Sequence, residues 1–186
     1  MAMHSILWRR LDRPGHESAR LSPRGDGWEM AGAAVFAHEG VAVRLDYVIE
    51  CDARWRTTSA RVHGWVGAKP VRLELAANPE AEWQLNGVPC PAVAGCLDLD
   101  LGFSPSTNLL PIRRLALPVG GAAAVRAAWL GFPSLRLEPL DQRYERLGPT
   151  TYRYESRGGV FRRDLEVNRE GWVTGYPGFW EAEAGA

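Results

Sequence analysis

The sequence predicts an all-β fold: a single-domain, mostly antiparallel sheet that is rolled into a barrel-like or half-barrel shape and contains little helix. Three observations lead to this prediction. Apolar and polar residues alternate over many short segments, turn residues recur roughly every 8 to 12 positions, and no long segment has the 3.6-residue period of an amphipathic helix. A chain of 186 residues is enough for one sizeable core, so residues 1–186 are expected to form one domain.

The first half of the chain contains the clearest strand signals. Residues 41–51 place a large apolar side chain at every second position, which is typical of a strand with one buried face. Residues 55–66 are rich in tryptophan, threonine and valine and predict a second long strand. Residues 22–27 read Ser-Pro-Arg-Gly-Asp-Gly and predict a loop, whereas Asn86-Gly87 predicts a hairpin turn. Shorter extended segments are expected at residues 6–11, 17–21, 28–36, 71–75 and 83–85.

The second half continues this pattern. Residues 122–130 are rich in alanine, which favours a helix, but large and small residues also alternate there, and we predict a strand. Residues 151–156 and 160–167 lie on either side of Arg157-Gly158-Gly159 and predict a hairpin. Further extended segments are expected at residues 134–138 and 172–176.

Residues 96–103 form the stretch around which the chemistry of the chain is organised. Leucine alternates with polar residues there, so Asp98 and Asp100 share one face of a predicted strand and the leucines share the other. Two carboxylates about 6 to 7 Å apart can divide acid and base work if their pKa values differ. The alternatives are that both carboxylates point to solvent or that both pair with nearby arginines.

The residues that follow supply those arginines. Pro105 and Asn108 predict a polar turn. Residues 112–117 are predicted to resume the extended pattern, which places Arg113 and Arg114 on opposite faces. A buried arginine needs an acidic partner or a bound anion, so each of the two is a candidate either for internal pairing or for ligand binding.

Aromatic side chains are the remaining signal. The chain contains 8 tryptophans and 5 tyrosines. Such side chains combine an apolar face with a hydrogen-bonding tip, which suits the mouth of a cavity or stacking on a sugar, although ordinary sheet packing also uses them. The candidates with polar neighbours are Trp55, Trp65, Tyr144, Tyr152 and Tyr154.

Composition excludes several classes of function. The formal net charge is 0, which gives no reason to expect a nucleic acid partner. The 3 cysteines have no Cys-x-x-Cys spacing, and no nucleotide-binding, serine hydrolase or metal motif is present, so no cofactor or metal is expected. No segment is apolar over the length of a signal peptide or a membrane span, which predicts a cytoplasmic protein without stable membrane insertion. No feature indicates the oligomeric state.

A set of motifs extends over nearly the whole chain: Leu-Asp-Leu-Asp-Leu at 97–101, Thr-Asn at 107–108, Leu-Pro-Ile-Arg-Arg-Leu at 110–115, Gln-Arg-Tyr at 142–144 and Tyr-Arg-Tyr at 152–154. In these motifs the chain resembles the glycolipid-binding family, a group of bacterial proteins of formerly unknown function. The resemblance implies a rolled antiparallel sheet, distantly like the lipoprotein carriers of the bacterial envelope, that encloses a cavity for an amphiphile. It implies no cofactor and no established catalytic residue.

Three hypotheses for function follow. The first is non-catalytic binding of a glycolipid or similar amphiphile in an apolar cavity. The second is a small hydrolase or isomerase that uses Asp98 and Asp100 on a sugar or lipid. The third is an interaction protein that pairs through an exposed sheet edge and has a filled interior. For the first hypothesis, the predicted ligand-binding residues are Trp55, Trp65, Asp98, Asp100, Asn108, Arg113, Arg114, Gln142, Tyr144, Tyr152 and Tyr154.

Overall fold

The structure is a computed structural model that describes residues 3–185, in which 61% of the chain is strand and 9% is helical. The all-β prediction is therefore confirmed. The strands of the described residues are β1 (His4–Arg10), β2 (Gly15–Arg24), β3 (Gly27–His38), β4 (Val41–Cys51), β5 (Thr57–Val66), β6 (Lys69–Ala77), β7 (Trp83–Leu85), β8 (Val88–Pro89), β9 (Asp98–Leu101), β10 (Ala122–Gly131), β11 (Arg136–Arg146), β12 (Thr151–Ser156), β13 (Phe161–Val167), β14 (Val173–Tyr176) and β15 (Trp180–Ala184).

All of these strands belong to one sheet. Its order is β8-β7-β6-β5-β4-β3-β2-β1-β15-β14-β13-β12-β11-β10-β9, so the first and last strands of the chain are neighbours in its middle. Every neighbouring pair is antiparallel except β9 and β10, which are parallel. The sheet is open and does not close into a barrel.

Most of the predicted strands are confirmed, with two differences in the first half. The strand predicted at residues 41–51 is β4. The loop predicted at residues 22–27 is wrong, because β2 continues to Arg24 and a two-residue turn follows, at which Gly25 adopts a φ of 59°. Trp55, predicted to begin a strand, lies in the preceding turn with a φ of 65°.

Residues 122–130, for which helix and strand signals competed, form β10. This strand is paired on both sides, to β9 and to β11. Ala127 and Ala128 are buried at this position between neighbouring strands. The structural context therefore overrides the helix propensity of alanine.

The extended segment predicted at residues 112–117 is wrong. Residues Leu109–Leu115 form a helix, α1, which ends where Ala116 adopts a left-handed conformation. Pro111 lies in the first turn, where helix N–H groups have no intrahelical acceptor, so the missing N–H costs little. This helix belongs to the connection between β9 and β10, and such a crossover is what allows two successive strands to pair in parallel.

The interior of the sheet is filled by the segment that contains β9 and α1. Phe103 and the leucines of this segment join the same core cluster as residues from β1 to β7 and from β10. The core therefore packs around this segment, and the cavities of the protein lie at the edges of the core. The side chains that the segment buries in this cluster are Val93, Cys96, Leu99, Leu101, Phe103, Leu109 and Leu110.

No helix in residues 3–185 has the length and apolar character needed to cross a membrane. In the same residues, no three histidine, cysteine, aspartate or glutamate side chains are grouped as metal ligands.

Candidate functional site

The main candidate site is a cavity of about 380 Å³, here called the central cavity, which lies where the turn after β9 meets β1, β3 and strands β10 to β15. Aromatic rings form much of its wall, because alternate positions of these strands carry a large ring on the same face. The polar part of its wall contains three arginines, a histidine, an amide and carboxylates. The aromatic members are Trp129, Phe132, Tyr154, Phe161, Tyr176, Phe179 and Trp180.

Four of these rings form a connected group. Tyr154 and Phe179 each lie edge-on to Phe161 and to Tyr176. Phe161 and Tyr176 are in tilted contact with one another, and the ring centroids of these five pairs are 5.4 to 6.4 Å apart. Burial raises the pKa values of Tyr154 and Tyr176, so both phenols remain protonated donors at neutral pH. The wall is thus largely aromatic and carries two phenol hydroxyl groups.

Trp129 is held in place by close contact with two glycines. A Cβ atom added at Gly102 would lie 2.7 Å from the indole nitrogen, and one added at Gly131 would lie 2.8 Å from the six-membered ring. The guanidinium of Arg157 lies 5.9 Å from the ring centroid. Only glycine allows the ring to lie this close to the backbone at the cavity wall.

Asp100 is one of the two aspartates that line this cavity, and Asp12 is the other. The side-chain NH2 group of Gln142 donates a hydrogen bond to its Oδ2 at 2.5 Å. Burial, and to a lesser extent the nearby charge of Asp98, raises the pKa of Asp100 to about 6, although the hydrogen bond from Gln142 opposes this shift. Asp100 is therefore mostly ionised at neutral pH and is available as a hydrogen-bond acceptor.

A buried ring of four oxygen atoms lies behind the cavity wall at Ser104. The Oε1 atom of Glu17 is 2.6 Å from the hydroxyl of Tyr47 and 2.5 Å from that of Ser104. The hydroxyl of Ser106 completes the ring, 2.7 Å from Tyr47 and 2.6 Å from Ser104. Three hydroxyl groups supply only three protons for these four contacts, and a proton on Oε1 of a neutral Glu17 would supply the fourth.

The surroundings of Glu17 favour the same neutral form. The side chain is 1% exposed, and its Oε2 atom has no hydrogen-bond partner within residues 3–185. Burial raises the pKa of Glu17 to about 7, against the opposing effects of its hydroxyl partners and of the charge of Arg10. A neutral carboxyl group can thus be buried here at a lower cost in free energy than a carboxylate.

A second cavity, here called the basic cleft, has a volume of about 530 Å³ and lies on the other side of α1. It brings together three of the predicted residues, Trp55, Arg113 and Tyr152. The guanidinium of Arg113 lies 4.8 Å from the centroid of the Trp55 ring, and that ring stacks on Trp28 at 4.7 Å. The cleft and the central cavity have no lining residue in common.

Asp98 and Arg114 form a buried ion pair instead of lining a cavity. Arg114 donates two hydrogen bonds to Asp98, from Nε at 2.9 Å and from an NH2 group at 2.5 Å. The Asp98 side chain is 1% exposed and that of Arg114 is 17% exposed. Burial raises the pKa of Asp98 and the hydrogen bonds oppose that shift, whereas the same bonds raise the pKa of Arg114. Internal pairing, one of the two alternatives for this arginine, is what the structure contains.

The predicted residues thus fall into separate groups. Asp100, Asn108 and Tyr154 line the central cavity, and Gln142 supports Asp100 from behind. The buried hydroxyl of Tyr144 donates to the amide oxygen of Asn108 at 2.9 Å and so fixes that amide at the wall. Trp65, which was also predicted to bind the ligand, lines neither cavity. Its side chain is 42% exposed and lies beside Arg44.

Sequence reasoning missed Glu17, Ser104 and Arg10. A signal for Glu17 is present, because it shares the buried face of β2 with Ala19 and Leu21, where a lone carboxyl group has to find partners. Ser104 and Arg10 have no comparable signal. They reach the cavity only because distant strands meet there.

Comparisons with known proteins agree with this architecture. The model of the family described as "Putative glycolipid-binding" matches residues 5–182. A crystal structure of a DUF1089 family protein from Pseudomonas aeruginosa superimposes with a TM-score of 0.77 at 35% sequence identity, covering 89% of this chain and 91% of that one. No curated protein matches the chain.

Proposed function

This chain belongs to the family described as "Putative glycolipid-binding", and on that premise we propose that its central cavity binds the sugar head group of an amphiphile without converting it chemically. The observation that carries the proposal is the meeting of an aromatic wall with the Asp100 carboxylate in one cavity. Aromatic faces cover the apolar face of a sugar ring, and carboxylate, amide and guanidinium groups bind its hydroxyls.

The distribution of polar groups around the cavity supports a hydroxyl-rich ligand. Asp100 and the amide of Asn108 lie at one side, and Arg10, Arg13 and Arg157 are part of the same lining. Arg10 and Arg13 both donate to Asp12, so part of their charge is already balanced. A wall with both acceptors and partly neutralised donors favours a neutral polar group over a highly charged one.

The size and filling of the interior favour the head group over a long acyl chain. A volume of about 380 Å³ lies near the lower end of the range for small-molecule sites. Phe103 and the buried leucines of the segment around β9 and α1 occupy the interior of the sheet, where an apolar cavity was predicted. We therefore place the sugar in the cavity and the alkyl chain at its open mouth.

The geometry gives less support to hydrolysis by a pair of carboxylates. Asp98 is engaged by Arg114 and does not line the central cavity, so Asp100 has no second carboxylate from the same strand beside it there. Division of acid and base work between these two groups requires both to reach the substrate. Binding without conversion is the function that we propose.

The proposal is tested by titrating the protein with octyl glucoside, galactoside, mannoside and maltoside below their micelle concentrations, using calorimetry. We expect saturable binding of at least one glycoside. Asp100→Asn keeps the shape of the side chain but removes its charge, and loss of a charged hydrogen bond of about 1.5 to 3 kcal/mol is expected to weaken binding about 10- to 150-fold.

Asp164→Asn is the matched control, since Asp164 is an exposed carboxylate on β13 outside the central cavity. This variant is expected to bind as the unchanged protein does. Absence of saturable binding to every glycoside, or equal weakening by the two substitutions, would contradict the proposal.

A further inference from the structure

The basic cleft has a charge distribution unlike that of the central cavity. Its lining includes Arg113, Arg146 and Arg169 and contains no aspartate or glutamate. Among the ion pairs within residues 3–185, none involves any of these three side chains. A concave surface with several cations and no carboxylate concentrates negative charge from solution.

Arg113 is the most unusual of the three. Its Nε atom is buried and has no hydrogen-bond partner within residues 3–185. Its aliphatic part packs against Gly171, where an added Cβ atom would lie 3.3 Å from Cδ. The side chain lines the cleft and makes no hydrogen bond or ion pair within residues 3–185, so its terminal guanidinium N–H groups are free to donate to a ligand that enters the cleft.

Trp55 holds the guanidinium of Arg113 in position. The indole is sandwiched between Trp28 and Arg113, at centroid distances of 4.7 and 4.8 Å. Its backbone has a φ of 65°, a conformation that costs a residue with a large side chain of the order of 1 kcal/mol or more and is found where the surroundings enforce it. This contact holds the guanidinium at the cleft wall, where it can donate to the oxygens of an oxyanion.

The other polar groups around the cleft have distinct roles. Arg146 donates to the carbonyl oxygens of Leu117, Gly148 and Pro149, so it contributes charge while its donors hold the backbone. Arg169 is exposed and lines the open side. The nearby Glu166 carboxylate accepts from the hydroxyls of Thr150 and Thr151 instead of neutralising these arginines.

From these observations we propose that the basic cleft is an oxyanion site that takes a phosphate group, with Arg113 as its principal ligand and Arg169 as the second. The site is separate from the central cavity and does not depend on the function proposed for it. A phosphate group can come from a small phosphorylated molecule or from an anionic lipid head group, and the experiment has one arm for each source.

The first arm titrates inorganic phosphate into the full chain and follows the indole N–H resonance of Trp55 by NMR. We expect a saturable shift of this resonance. Arg113→Gln is expected to weaken binding about tenfold or more, because it removes charged hydrogen bonds. Arg169→Gln changes an exposed position, where little effect on folding is expected, and should weaken binding about threefold.

The second arm measures sedimentation with phosphatidylcholine vesicles prepared with and without phosphatidic acid. Arg136→Gln, which changes an exposed arginine outside the cleft, is the control in both arms and is expected to have no effect. Phosphate binding that depends on Arg113 supports the site, and additional binding to the anionic vesicles identifies a lipid as the source. If neither probe binds, or if the three substitutions weaken binding equally, the proposal is wrong.

Discussion

Arg114→Met is expected to lower the free energy of unfolding by about 3 to 5 kcal/mol, because it leaves the carboxylate of Asp98 buried without a partner. Asp98 is 1% exposed and accepts both of its side-chain hydrogen bonds from Arg114. This pair joins α1 to β9; Asp100 lies on β9, and Asn108 directly precedes α1. In thermal unfolding the loss corresponds to a decrease in Tm on the order of 10 °C.

Arg153→Met is the matched control. Arg153 also donates two hydrogen bonds to one carboxylate, at 2.9 and 3.0 Å from Asp164, but the two side chains are 25% and 47% exposed. Removal of this solvated pair is expected to cost less than about 1 kcal/mol. Equal effects of the two substitutions in urea unfolding would show that burial of the Asp98 pair is not what stabilises this region.

The pH dependence of the Arg114→Met effect provides a second signature. Without its arginine, the Asp98 carboxyl has a folded-state pKa still further above its unfolded value, so protonation relieves the penalty at low pH. The loss of stability relative to the unchanged protein is therefore expected to be smaller at pH 5 than at pH 8. Asp98→Asn combined with Arg114→Met leaves no buried charge and is expected to be less destabilising at pH 8 than Arg114→Met alone.

Glu17 is expected to make the protein less stable as the pH rises from about 4.5 to about 7. Its folded-state pKa is raised to about 7 from a usual value of 4.5, so its protonated form is favoured by folding. The stabilisation that protonated Glu17 provides is complete below its unfolded-state pKa and is lost as the pH rises through its folded-state pKa. A shift of this size corresponds to a total loss of about 3 kcal/mol in the free energy of unfolding. This value is not reduced for solvent screening, because the side chain is buried.

Glu17→Gln is expected to remove this part of the pH dependence. Glutamine is neutral at every pH and retains a donor for the ring formed with Tyr47, Ser104 and Ser106. From pH 5 to pH 8, urea unfolding should therefore show a decrease in the free energy of unfolding that is smaller in the variant by about 2.5 kcal/mol. Asp100, with a pKa of about 6, contributes a further decrease that both proteins share. The same pH dependence in both proteins would mean that Glu17 is not buried as a neutral acid.

The fold could be predicted from the sequence to the extent that local pattern determines it. Strict alternation at residues 41–51 and the turn at Asn86-Gly87 specify strand and hairpin without reference to the rest of the chain. The helix α1 could not be predicted in this way, because Pro111 and two adjacent arginines obscure its apolar face. The parallel pairing of β9 with β10 was missed for the same reason, since it depends on that crossover.

The site was less predictable than the fold. Asp100, Asn108 and Tyr154 line the central cavity, whereas Asp98 and Arg114 pair with each other. Alternation shows which residues share a face of a strand. It does not show whether another element covers that face, and here Arg114 of α1 covers Asp98.

The central claim is that a sugar head group binds beside the aromatic wall of the central cavity, and the indole N–H resonances of the 8 tryptophans test it most directly. Trp129 and Trp180 line this cavity, whereas Trp83 is buried elsewhere with its indole N–H bonded to Cys96 and Trp65 is exposed on another part of the sheet. Titration with the alkyl glycosides is expected to shift the resonances of Trp129 and Trp180 and to leave those of Trp65 and Trp83 unchanged. Glycoside binding that leaves Trp129 and Trp180 unmoved would contradict the account.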